Sequence, residues 1–237
     1  MTEPTNFILY IQLTGYCIAA ILSLCITIPM SMHQDNFKGH CLLFTTGEWR
    51  EKDGQFVVDW ASQAYCNFTI FVGVVMFVIS ATQIYRSALT TTVTEIQSDS
   101  NIVYLRISMF LYKNKDSSFF SAFVDVISSI FMCSMTLTAA LFITLGFNVW
   151  CGEMTKRFEN CADATENDID KNEGIDPKGF FMQMFTAQFG VWLSWATWCG
   201  LTVFALLKLC RYHQQENIRV RISSISGLAL IGIVFMA

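Results

Sequence analysis

Cysteine is the residue type in this chain with the most chemistry to offer, and its nine copies fall into two sets. Cys41, Cys66, Cys151 and Cys161 lie in or beside two polar, acid-rich segments, whereas Cys17, Cys25, Cys133 and Cys199 sit inside long apolar runs and Cys210 just past one. Nucleophilic or metal chemistry needs a base, an acid or further ligands close to a thiolate. The sequence does not supply them. His33, His40 and His213 stand far apart, and there is no Cys-x-x-Cys, Gly-x-Ser-x-Gly or Gly-rich phosphate loop. An even set of cysteines confined to one face is what an oxidising compartment produces. Four cysteines admit three connectivities. Pairing within each segment, Cys41 with Cys66 and Cys151 with Cys161, closes short loops and is expected to contribute about 2–4 kcal/mol per bridge. Pairing across the segments is the rival.

Four other positions are candidates. Asp125 is the one acid inside an apolar run, about 10 Å from the end of its helix at 1.5 Å per residue. An intramembrane charge is by default a functional candidate, here for ion or proton transport with Gln188 as a second polar group. The plain alternative is that Asp125 pairs with Lys113, Lys115 or Gln83, while Gln12, Gln183 and Gln188 bridge helices by hydrogen bonds. A pore needs rings or strings of polar side chains, and no helix here carries a polar stripe. Asn67-Phe68-Thr69 matches a glycosylation acceptor, but it lies in the first turn of a membrane segment, where little occupancy is expected. Cys210, beside Arg211, fits a palmitoylation site or an inert thiol.

The elements that must position these residues are plain. Apolar stretches at about 7–30, 65–85, 119–149 and 180–209 are each long enough for a hydrocarbon layer of roughly 30 Å. Helices satisfy their own backbone groups within lipid. The expected fold is an all-α membrane protein: a four-transmembrane-helix bundle with two disulfide-containing extracytoplasmic loops, 31–64 and 150–179. The four-span domain covers 1–212, residues 86–118 form a cytoplasmic connection, and 213–237 form a tail with an apolar end. Of 237 residues, 53% are hydrophobic and 14% charged, with mean hydropathy +0.44; a soluble domain carries about 25% charged residues. That leaves no room for a separate soluble catalytic domain, and no segment is basic enough for nucleic acid. Neither an enzymatic activity nor a cofactor is expected.

Orientation is not decided by counting. Eight Lys and Arg fall on the face shared by the termini and seven on the other. The first face holds its cations against membrane ends (Arg86, Lys113, Lys115, Lys208, Arg211), whereas residues 153–176 dilute theirs with eight acids. With the cysteines, this places both termini in the cytoplasm, in the plasma membrane or secretory-pathway vesicles. The first apolar run is read as a retained signal-anchor, since residues 1–6 lack Lys and Arg.

Within the first outer loop, Gly47 and Gly54 signal turns, and residues 56–59 are expected to pair with 41–44 as a short hairpin. Trp49 suits a loop core and Trp60 the membrane interface. Residues 87–100 read as a flexible linker, and 101–112 as an interfacial helix or an extension of the third span. Gly15, Ala19 and Ser23, Gly190 with Ser194, and Ala196 with Gly200 mark packing faces within the bundle, homo-oligomerisation being the weaker alternative. The apolar stretch 222–237 reads first as an isoform-specific tail, with a membrane-surface segment or a marginal fifth membrane segment as alternatives.

Gly39-His40-Cys41-Leu42-Leu43-Phe44-Thr45 with Gly47 and Trp49 resembles the first outer loop of the transmembrane protein 179 family. The likeness continues at Cys66-Asn67-Phe68, Ser118-Phe119-Phe120-Ser121-Ala122-Phe123, Gly146-Phe147, Trp150-Cys151, Cys161, Ala187-Gln188-Phe189-Gly190, Trp192 and Ser194-Trp195. It departs at an insertion over much of 88–105, at the apolar C-terminus, and at Asp125, where an amide is usual. A more distant similarity is to synaptogyrin- and synaptophysin-like MARVEL proteins. Claudins are less similar, because Trp49 follows Cys41 instead of preceding a closely spaced cysteine pair. The resemblance implies the same four-span topology and the disulfides. The expected function is that of a non-enzymatic membrane or vesicle organiser or accessory subunit, with membrane lipids and other membrane proteins as partners; a small channel or transporter is the alternative.

Overall fold

The computed structural model describes residues 3–51, 56–97, 115–166 and 178–235. Helix α1 (Glu3–Asn36) leads into a hairpin of β1 (Cys41–Trp49) and β2 (Phe56–Ala61); α2 (Ala64–Gln97), α3 (Lys115–Met154), a single 3-10 turn (Cys161–Glu166) and α4 (Phe180–Phe235) follow. Each helix contains a stretch long and apolar enough to cross a membrane: Tyr10–Asn36, Ala64–Leu89, Phe120–Met154 and Phe180–Gln214.

Local chemistry sets the ends that matter for the site. Lys38 and Gly39 take left-handed φ angles of 49° and 89°, and the Gly39 amide donates to the Gln34 carbonyl at 2.7 Å, closing the end of α1. Ser62 caps α2, its hydroxyl accepting from the Ala64 amide at 3.3 Å. Elsewhere the helices outrun their apolar stretches. Residues 87–97, expected as a flexible linker, continue α2, because their Ala, Thr, Glu and Gln residues include no Gly or Pro to break it. Residues 222–235 likewise continue α4, and form no separate fifth segment turning back to the bundle. The interfacial helix expected over 101–112 lies outside the described residues.

The bundle core follows a heptad-like spacing. Met184, Ala187, Val191, Ser194 and Trp198 are fully buried on α4; Ala19, Ser23, Ile26 and Met30 are fully buried on α1. The opposite faces are equally apolar and exposed: Ile18, Ile21 and Ile28 on α1, Phe71 and Val78 on α2, and Phe185 and Phe189 on α4. A helix that is apolar all round belongs in lipid. Contacts are most extensive between α3 and α4 and between α1 and its neighbours α2 and α4. Small residues make these seams: a methyl added at Gly15 would stand 2.8 Å from Leu201, and one at Gly190 would stand 3.1 Å from Ile26. Ala196 with Gly200 does not join them. Ala196 is exposed and Gly200 has open space beside it, so that pair faces away from the bundle.

Candidate functional site

Both bridges form within their segments. Cys41 joins Cys66 with Cα atoms 5.8 Å apart, and Cys151 joins Cys161 at 5.2 Å, within the range a disulfide spans. The first ties the start of β1 to the start of α2; the second ties the end of α3 to the 3-10 turn before α4. All four cysteines therefore share one end of the bundle.

The hairpin differs in register from the sequence expectation. Trp49 pairs with Phe56, Glu48 with Val57, Gly47 with Val58 and Thr46 with Asp59, so residues 46–49, not 41–44, oppose 56–59. Gly47 is a strand residue rather than a turn; the Phe56 ring occupies the space where its side chain would stand. Between the Cys41–Ala61 and Thr46–Asp59 pairs, β1 advances five residues while β2 advances two. This bulge contains Phe44 at φ 63° and the fully buried Thr45. The Thr45 hydroxyl donates to the Cys41 carbonyl at 2.7 Å and accepts from the Ala61 amide at 3.3 Å, supplying polar contacts that the interrupted ladder lacks.

Trp49 explains the register. Its Nε1 donates to the Glu153 carbonyl at 3.1 Å, its ring lies 5.7 Å from Phe158 and 4.9 Å from Phe56, and the Arg157 guanidinium sits 5.0 Å above it. Glu153, Arg157 and Phe158 all lie inside the loop that Cys151–Cys161 closes. Phe56 then meets Trp150 at 5.7 Å, and Trp150 meets Phe180 at 6.2 Å, both edge to face. The two bridged segments are thus one head, clasped through Trp49 and rooted on α3 and α4. Trp60, expected at the membrane interface, stacks on His40 at 4.7 Å and meets Phe37 edge-on at 6.3 Å. Nearby, His33 is fully buried against Phe37, and neither ring nitrogen has a hydrogen-bond partner among the described residues.

The opposite end is charged. Asp125 on α3 is 8% exposed. Its Oδ1 accepts from Gln83 Nε2 at 2.9 Å and from Arg86 Nη1 at 3.2 Å, and its Oδ2 lies 3.8 Å from Lys208 Nζ. Arg86 also donates to the Ser121 hydroxyl. One carboxylate thereby links α2, α3 and α4. Gln83 is the partner the sequence offers; Arg86 and Lys208, each near the end of an apolar stretch within a longer helix, take the place expected for Lys113 or Lys115. Lys113 lies outside the described residues, as does much of the acidic run, from 167 to 177.

Gln188 is elsewhere. Its Nε2 donates to Thr144 Oγ1 at 3.3 Å, which also accepts from Trp192 Nε1 at 3.1 Å. Thr144 is 19 residues along α3 from Asp125, about 28 Å of helix. The two polar residues paired in the transport reading are not brought together. Asn67 is exposed and accepts from Gln34 Nε2 at 2.9 Å, but Thr69 of the same acceptor motif is fully buried, its hydroxyl donating to the Tyr65 carbonyl. Cys210 is exposed on α4. Among the described residues, no group of three or more His, Cys, Asp or Glu could hold a metal ion.

Four membrane-length helices with two bridged segments at one end define a class, the claudin-like multi-pass membrane proteins. Over residues 8–227 the chain matches the Transmembrane protein 179/179B Claudin domain, and it belongs to that family. Claudin-like membrane families are generally non-enzymatic and interact with lipids and other membrane proteins. No solved structure matches the chain. The match extends a claudin likeness over residues 8–227, which the order of Trp49 and Cys41 alone argued against.

Proposed function

We propose that this protein acts without catalysis, through lateral contacts with other membrane proteins, as an organiser of membrane or vesicle components or as an accessory subunit. The head faces the lumen or the outside, both termini lie in the cytoplasm, and the spans keep close to 7–30, 65–85, 119–149 and 180–209. The single observation that carries this reading is the clasp of Trp49 by the Cys151–Cys161 loop, which turns two separate segments into one presented surface. The separation of Asp125 from Gln188 along α3 counts against the transport alternative.

Trp49→Ala and Cys151→Ser are the tests. Proximity labelling from each terminus, followed by pull-down of the intact chain, identifies partners. Both variants are expected to lose the same partners while the unaltered Cys41–Cys66 bridge persists in non-reducing mass spectrometry. Partners retained by both variants would show that the head is not the presenting surface.

A further inference from the structure

Among the described residues, the ion cluster at the charged end of the bundle holds more cations than acids. Asp125 is shared between Arg86 and Lys208, one to each carboxylate oxygen. Arg211, three residues beyond Lys208 and exposed, adds positive charge to the same face of α4. The Asp125 side chain is 11% exposed, against 45% for Arg86 and 35% for Lys208, so the accessible part of the cluster is cationic. Its surroundings are apolar and open: Tyr85 and Leu89 flank Arg86, Phe120 and Phe123 precede Asp125, and Leu206 and Leu207 precede Lys208, all exposed.

Cations at the rim of a hydrocarbon layer are costly unless an anion comes to them. Every bilayer supplies one at that level, the phosphate of a headgroup, with acyl chains that exposed apolar side chains can hold. Basic pockets between membrane helices recognise such groups. We propose that Arg86, Lys208 and Arg211 form a binding site for the phosphate of an anionic lipid headgroup. Asp125 acts as a positioning residue that holds Arg86 and Lys208 near each other despite their like charge. The site is separate from the head and does not depend on the side of the membrane to which the head is assigned.

Native mass spectrometry of the purified full chain in detergent, with phosphatidic acid and phosphatidylcholine added in equal amounts, reads the site. The wild type is expected to retain phosphatidic acid in preference. Lys208→Gln with Arg211→Gln should weaken that retention about thirtyfold. The exchange Lys208→Arg with Arg211→Lys should keep it, which separates lost charge from lost fold. Arg219→Gln with Arg221→Gln removes equal charge farther along α4 and should change little. Equal losses in both glutamine pairs, no loss in the first, or no preference for phosphatidic acid would overturn the proposal. Displacement by inorganic phosphate would also overturn it, by making a free anion the ligand instead of a lipid.

Discussion

Gly146 sits where α3 meets the bulge of β1, and a methyl added there would stand 2.8 Å from Leu43 Cβ and 3.0 Å from the Phe44 amide nitrogen. Backbone atoms cannot swing aside as the tip of a side chain can. The overpacking cost of about 1–3 kcal/mol outweighs the gain in helix propensity, roughly 0.4 kcal/mol for valine over glycine. Gly146→Val is therefore expected to lower the thermal midpoint in detergent, and an unchanged midpoint would mean that α3 and the hairpin are not in such close contact. His33 predicts the opposite sign. Burying an imidazole with neither nitrogen bonded, as His33 stands among the described residues, costs free energy that an apolar side chain of similar size does not incur. His33→Leu is expected to stabilise by about 1 kcal/mol, read as a raised midpoint; a lowered one would reveal a polar partner for the ring. Neither residue announces its role in the sequence. Gly146 looks like any helix glycine, and His33 looks like a solvated residue past the end of an apolar run, because the neighbours that bury each are distant in the chain.

At the scale of elements, the hairpin and the second bridged loop stabilise each other. Closing the loop between Cys151 and Cys161 contributes about 3 kcal/mol on a chain-entropy model, and it also holds Arg157 and Phe158 against Trp49. Cys151→Ser is expected to lower stability by about that amount and to make residues 156–158 susceptible to protease, whereas Cys161→Ser should match it and the double variant should add little more. Additive losses would show that the two cysteines act apart. How far these elements were legible follows from where their information lies. Four long apolar runs and the segment-local bridges could be read because length, hydropathy and cysteine placement are local properties. The hairpin was foreseen, but its register was not: Trp49 is fixed by a carbonyl 104 residues away, a tertiary contact that overrides turn signals such as Gly47. The helix ends were underestimated for a related reason. Hydropathy marks where lipid stops, and α2 and α4 continue as helices past that point. Asp125 stood out as an acid in an apolar run, but its two cations come from other helices and could not be assigned from its own neighbourhood.

At the scale of the molecule, two unlike ends are separated by an apolar belt. One end is covalently stapled and aromatic, built from β1, β2 and the loop before α4; the other is ionic and joins α2, α3 and α4 through Asp125. Small residues seal the seams between α1, α2 and α4, and the outward faces of all four helices remain apolar. The proposed orientation directs the stapled head to one side of the membrane and the ionic end to the other. Orientation is the claim on which the proposed function rests, since disulfides persist only where thiols are oxidised. It is tested most directly by an epitope inserted after Gly174, probed with membrane-impermeant antibody and protease before and after permeabilisation. The epitope is predicted to be unreachable from the cytosolic side and reachable from the lumen or the cell exterior. An epitope reached only from the cytosol would contradict the account.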